Sequence, residues 1–122
     1  MIIKRRRSLL SLFFILLLAA CSPHPGSGIW LSVDDTGPYG KLAILFEGQA
    51  ELYPVGRKAY RYRCFWAGLS ADSLRMDCVS ADDPAQKARF EFRVLADGSG
   101  ELLESGRSLG HFHRTDEKPT RQ

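Results

Sequence analysis

Tyr60-Arg61-Tyr62-Arg63-Cys64-Phe65-Trp66 decides the fold. Large side chains at 60, 62, 64 and 66 alternate with Arg61 and Arg63, while Phe65 joins the charged parity. A period of two sends successive side chains to opposite faces of a strand, whereas a helical face repeats at about 3.6 residues. The pattern continues on both sides. Leu74, Met76 and Cys78 alternate with Arg75 and Asp77, and Ala88, Phe90, Phe92 and Val94 alternate with Arg89, Glu91 and Arg93. Upstream, Leu42, Ile44 and Phe46 share one parity, Gly48-Gln49 marks a turn, and Ala50 and Leu52 alternate with Glu51 and Tyr53. Residues 29–33, 101–104 and 108–114 complete the set, the last two separated from 87–94 by the turn Asp97-Gly98-Ser99-Gly100. Residues 82–88 fit no more than a single helical turn. The expectation is an all-β domain, a small antiparallel meander of about seven or eight strands that closes into a barrel or stays a strongly curved sheet. Closure would also remove exposed edges that invite aggregation.

The cysteines sharpen the register. If 68–73 forms a turn, Cys64 falls opposite Cys78 and Trp66 opposite Met76, with both cysteines on the inward parity. Directly opposed residues in a non-hydrogen-bonded pair have Cα atoms about 4.5 Å apart, within reach of a disulfide. A Cys64–Cys78 bridge is the expectation, and two reduced core cysteines are the alternative.

The chain of 122 residues is long enough for one domain, once the segments that do not fold with it are set aside. Lys4, Arg5, Arg6 and Arg7 precede an apolar run from 9 to 20 that only Ser11 interrupts. About a dozen apolar residues fall short of the roughly 20 that a membrane-spanning helix needs. The run therefore reads as the hydrophobic part of a signal peptide over 1–20. Leu18-Ala19-Ala20-Cys21 resembles the lipobox of bacterial lipoproteins. That resemblance implies cleavage before Cys21, acylation of its thiol and a stable membrane anchor, since each buried methylene adds about 0.8 kcal/mol. It also implies an outer-membrane address facing the periplasm in a two-membrane cell, because Ser22 rather than Asp follows the cysteine. In a host with one membrane, the same anchor would place the domain on the cell surface. Residues 21–28, rich in Pro, Gly and Ser, are expected to be a flexible tether, 29–114 the β domain and 115–122 a disordered tail.

Setting the leader aside changes the electrostatics. Four of the 17 Lys and Arg lie in it, leaving 13 against 14 Asp and Glu, a net charge of −1 with His neutral. Overall charge thus makes no case for nucleic acid as a partner.

Gly28-Ile29-Trp30 resembles the G-x-W signature of lipocalin-like barrels. In that superfamily the Trp closes one barrel end and packs on a basic residue of the last strand. Arg114 is the implied partner of Trp30, with Arg107 second. The stretch 41–53 is similar to the second hairpin of small lipocalin-like lipoproteins. A chain this short, with bulky inward residues, implies an interior filled by side chains rather than a roomy cavity.

Three groups of residues are candidates for a site. Arg61, Arg63, Arg75, Arg89 and Arg93 share an outward face with Phe65, near Arg57 and Lys58. Such a face suits an anionic partner, and equally suits a solvated surface with Asp77 and Glu91 as counter-charges. Tyr60, Tyr62, Trp66, Phe90 and Phe92 fit either an apolar pocket or a plain core. His111 and His113 sit at i, i+2 on one face, which can chelate a metal, but no third ligand is placed and His24 lies in the tether. No Ser-His-Asp arrangement or other catalytic pattern stands out, and no cofactor is expected. The first expectation is a non-enzymatic envelope protein, an assembly factor or an inhibitor of an envelope-degrading enzyme, that binds a protein partner through Arg61, Arg63, Phe65 and Arg75. The second is a carrier or sensor of a small hydrophobic ligand.

Overall fold

A computed structural model describes residues 23–35 and 37–116. The leader, Cys21 and the end of the tail lie outside the described residues. Eight strands follow one another: β1 (Gly28–Ser32), β2 (Tyr39–Ile44), β3 (Gln49–Pro54), β4 (Tyr62–Ser70), β5 (Ser73–Ser80), β6 (Lys87–Val94), β7 (Gly100–Glu104) and β8 (Arg107–Thr115). Each pairs antiparallel with the next, and β1 pairs with β8, so the sheet is a closed meander barrel. Of the two expected forms, barrel and open curved sheet, the chain adopts the first.

The inward parity fills the centre. Trp30, Leu42, Ile44, Leu52, Leu74, Met76, Phe92, Leu102 and Phe112 are fully buried. Trp30 meets Phe92 edge-on at 4.8 Å between ring centres, and Phe92 meets Phe112 at 6.3 Å. Perpendicular rings set the positive edge of one against the negative face of the next. The Phe92 ring lies over Gly100, where an added methyl group would overlap it, so a glycine in β7 lets the rings pack.

The longest hairpin carries the disulfide. Cys64 pairs with Cys78 and Trp66 with Met76, as the alternation requires, and the Cys64 and Cys78 Cα atoms stand 4.0 Å apart across the bonded pair. The connection is tighter than expected. The strands run on to Ser70 and Ser73, and the Ser70 and Ser73 hydroxyls are 2.7 Å apart. The β7–β8 turn is equally short, with Ser105 and Gly106 both at positive φ, 52° and 78°. Two successive residues of that kind match the twist of a two-residue hairpin.

Several expectations are corrected. Phe46 has inward parity by counting, but β2 stops at Ile44, Gly48 N–H donates back to the Leu45 carbonyl, and the Phe46 side chain is 65% exposed. Tyr60 precedes β4 and packs on Tyr53 outside the barrel rather than in the core. The segment 82–88 forms a hydrogen-bonded turn at Pro84-Ala85, with Gln86 N–H donating to the Asp83 carbonyl at 3.0 Å, and no helical turn. Gly28 already belongs to β1 and Thr115 still belongs to β8, so the barrel is one residue longer at each end than 29–114.

The disulfide closes a loop whose ends are 14 positions apart. A cross-link of that span removes roughly 3 kcal/mol of unfolded-chain entropy. Replacing both cysteines (Cys64→Ser with Cys78→Ser) is expected to lower the thermal midpoint by about 12–24 °C, read by circular dichroism, because 1 kcal/mol shifts a domain of this size by about 4–8 °C.

Candidate functional site

The first candidate is the rim where β1 meets β8. Arg114 is opposite Trp30 and shares its inward parity, but at the rim, so its side chain folds over the Trp30 ring with the guanidinium carbon 4.5 Å from the ring centre. Its two terminal nitrogens donate to the Pro25 and Ser27 carbonyls. The Trp30 indole N–H donates to the Gly26 carbonyl at 2.9 Å. Gly28 is needed here, since its φ is +130° and a Cβ would lie 2.8 Å from Arg114 Nη1. Arg107, the other basic residue considered for this role, stands opposite Glu104 beside the far hairpin turn.

The same contacts correct the expected tether. His24 accepts the Gly26 N–H on Nδ1 at 2.9 Å, and its Nε2 meets the Ser70 carbonyl at 2.8 Å. With Nδ1 accepting, the ring proton belongs on Nε2, and both nitrogens are satisfied. The His24 ring also lies edge-on to Trp66 at 5.8 Å. Residues 24–27 therefore form a strap across the barrel mouth, from the β4–β5 hairpin to Arg114. A segment rich in Pro and Gly supplies bare carbonyls at the spacing that Arg114 and Trp30 require.

The second candidate is the outer face of β3 to β6. Phe65 is opposite both Gln49 and Asp77, and Asp77 is opposite Arg89. Phe65 is 68% exposed, and Arg61 and Arg63 are exposed beside it on the same side of the sheet. Arg61 lies 5.7 Å over the Tyr62 ring. Arg75 differs from the others. It is half-buried, its Nε sits 3.4 Å from Asp77 Oδ2, and that nitrogen makes no well-formed hydrogen bond. Asp77 also accepts from Arg89 at 2.7 Å, and Arg93 pairs with Glu91 at 2.9 Å. The Arg89 hydrogen bond, with the charges of Arg89 and Arg75, holds the Asp77 carboxyl below the usual range. The face thus divides in two. Arg75, Arg89 and Arg93 are laced to carboxylates, while among the described residues Arg63 has no ion-pair partner.

Arg63 and Phe65 form a ridge between two hollows. On one side a cleft of about 700 Å³ is lined by Lys41, Glu51, Tyr53, Lys58, Tyr60 and Arg63 among others. On the other, an open depression of about 460 Å³ lies against Phe65, Val79, Lys87 and Arg89. The cleft was not foreseen from the sequence. The loop between β3 and β4 folds back and stands Tyr60 on Tyr53 at 88°, with ring centres 6.2 Å apart. Lys41 Nζ lies 5.1 Å from the centre of the Tyr53 ring, and the Tyr53 hydroxyl donates to Glu51 at 3.1 Å. The outward parity of Tyr53 was the one available signal.

The remaining histidines are engaged elsewhere or apart. His111 lies opposite Glu101, with Nε2 3.3 Å from the carboxylate. Among the described residues, no three His, Cys, Asp or Glu side chains group to hold a metal ion. No family model, curated protein or solved structure matches the chain.

Two outcomes are expected at these sites. Arg114→Ala should cost about 1–2 kcal/mol through the lost cation–π contact and strap hydrogen bonds. It should also speed amide exchange at Ser27 by at least several-fold, read by hydrogen–deuterium exchange, while Arg107→Ala leaves exchange there unchanged. The second outcome concerns pH. Burial pushes the Tyr39 and Tyr53 hydroxyls up to about 12 from 10.0, with the neighbouring Tyr62 adding to the effect at Tyr39 and Glu51 at Tyr53. A raised folded-state value favours the folded protein fully below pH 10.0, and that contribution disappears as pH rises towards 12. Urea midpoints should therefore fall over that interval, and less steeply for Tyr39→Phe.

Proposed function

We propose that this chain is a non-enzymatic, lipid-anchored bacterial envelope protein whose outer barrel face binds a protein partner. The observation that carries the reading is the exposed Arg63–Phe65 ridge between two hollows. Arginine and aromatic side chains set among depressions are the kind of feature that dominates protein interfaces. Arg61 and Lys58 extend the cationic side of the ridge, which favours an acidic partner surface. Arg75 contributes less, because Asp77 already holds it. An assembly role or the inhibition of an envelope-degrading enzyme would both use such a rigid surface.

The anchor rests on the sequence from Lys4 to Cys21, and the outer-membrane, periplasm-facing address rests on Ser22. A lipocalin-like origin of the barrel is supported by Gly28-Ile29-Trp30 and by the contact of Arg114 with Trp30. Carriage of a hydrophobic ligand has less in its favour, since Trp30, Phe92, Phe112, Leu42 and Leu102 occupy the barrel centre.

Reversing two charges tests the surface. Lipidated protein carrying Arg61→Glu and Arg63→Glu should capture its envelope partner at least about tenfold more weakly, roughly 1.4 kcal/mol, in a quantitative pull-down. Both side chains are exposed, so the thermal midpoint should hold. Capture equal to that of the unaltered protein would remove the ridge from the interface.

A further inference from the structure

The strap fixes which end of the barrel stands nearest Cys21. β1 begins at Gly28 and β8 ends at Thr115 on that end. In an antiparallel meander, the β2–β3, β4–β5 and β6–β7 turns gather there too. His24 is held on the Ser70 carbonyl beside the β4–β5 turn, and Cys21 lies three residues earlier. Three residues of fully extended chain reach at most about 10 Å. An acylated cysteine lies at the membrane interface, whose polar region adds about 5–8 Å to each side of the hydrocarbon core. The turns at this end are therefore held within one interfacial depth or so of the lipid.

Two large apolar side chains stand exposed there. Phe46, 65% exposed, sits in the β2–β3 turn, and Leu69, 52% exposed, sits next to Ser70. Phe46 has no core role, and Leu69 directly precedes the residue that pins the strap. Among the described residues, Glu47, Asp72, Asp97 and Asp116 share this end of the barrel, while its cations Arg114 and Arg93 are engaged by the strap and by Glu91. An acidic rim is repelled by anionic headgroups, so the contact is an apolar one suited to zwitterionic lipid. At the opposite end the β3–β4 loop is basic, with Arg57 and Lys58, while the neighbouring loops carry Asp34, Asp35, Asp82 and Asp83.

We propose that the strap end of the barrel rests on the bilayer, with Phe46 and Leu69 entering the headgroup–acyl boundary and holding the domain upright. This rests on the reading of Cys21 as the lipid anchor. The ridge of Arg63 and Phe65 then faces sideways from the membrane, and the basic β3–β4 loop points away from it.

The test uses full-length lipidated protein in phosphatidylcholine vesicles, with acylation of Cys21 verified by mass spectrometry. A nitroxide label is attached to Leu69→Cys, Phe46→Cys or, as the far-end control, Arg57→Cys. Power saturation then compares collisions with oxygen, enriched in the bilayer, and with a water-soluble nickel chelate. The expected result is an oxygen-to-nickel ratio several-fold higher at positions 46 and 69 than at 57, falling towards the value at 57 in vesicles rich in anionic phosphatidylglycerol. Acylated protein with equal ratios at all three positions would overturn the orientation and leave the anchor standing. Protein without acyl chains on Cys21 would overturn both. Labels that lose mobility without gaining oxygen contact would mark this end as a protein interface and also overturn the proposal.

Discussion

Arg114 does two things from one position, and the barrel's closed form depends on both. As part of β8 it pairs with Trp30 of β1, completing the ring of strands. As a side chain it covers the Trp30 ring and gathers the Pro25 and Ser27 carbonyls. A barrel mouth is where inward-facing positions meet solvent, so an apolar residue there stays wet and a polar one has few partners. A guanidinium resolves the conflict, because its face tolerates the indole and its edge satisfies carbonyls. Apart from the His24 ring against Trp66, the strap acts through its main chain. It contributes acceptors, and His24 ties its other end to Ser70.

Closure and packing together leave the outer face as the place where this molecule differs from a plain scaffold. Inside, ring-on-ring contacts among Trp30, Phe92 and Phe112 fix the packing. Outside, Asp77 bridges Arg75 and Arg89 and Glu91 pairs with Arg93, so two carboxylates offset part of the charge of three arginines. Exposed ion pairs of this sort contribute little to stability. On the β4 side, Arg61 and Arg63 have no such pair among the described residues.

The strand alternation was legible because parity survives folding. The opposition of Cys64 to Cys78 followed from counting outward from a turn within 68–73, whereas the contact of Trp30 with a basic residue came from the resemblance of Gly28-Ile29-Trp30 to a known signature. What parity cannot show is where a strand stops. Phe46 continues the inward count, but the turn at 45–48 carries it into solvent, and Tyr60 loses its inward place because β4 begins two residues later. The strap leaves no mark in the sequence for a different reason. Its bonds run through main-chain carbonyls, which every residue carries, so Pro25, Gly26 and Ser27 look the same in sequence whether they hang loose or are gripped. The cleft beside Tyr53 depends on the path of the 55–61 loop, a tertiary fact that no local pattern encodes.

The pairing of Ile29 with Thr115 also sets an order of assembly. Every other strand contact joins neighbours along the chain and can form as the polypeptide emerges. The seam between β1 and β8 joins the two extremes of the domain, and such distant contacts form slowly because a long loop must close first. Until β8 arrives, β1 is an unpaired edge with Trp30 uncovered, and the strap has no Arg114 to hold it. A chain that is stopped short of its last strand would present that edge to its neighbours, the kind of exposed strand that invites pairing with another copy.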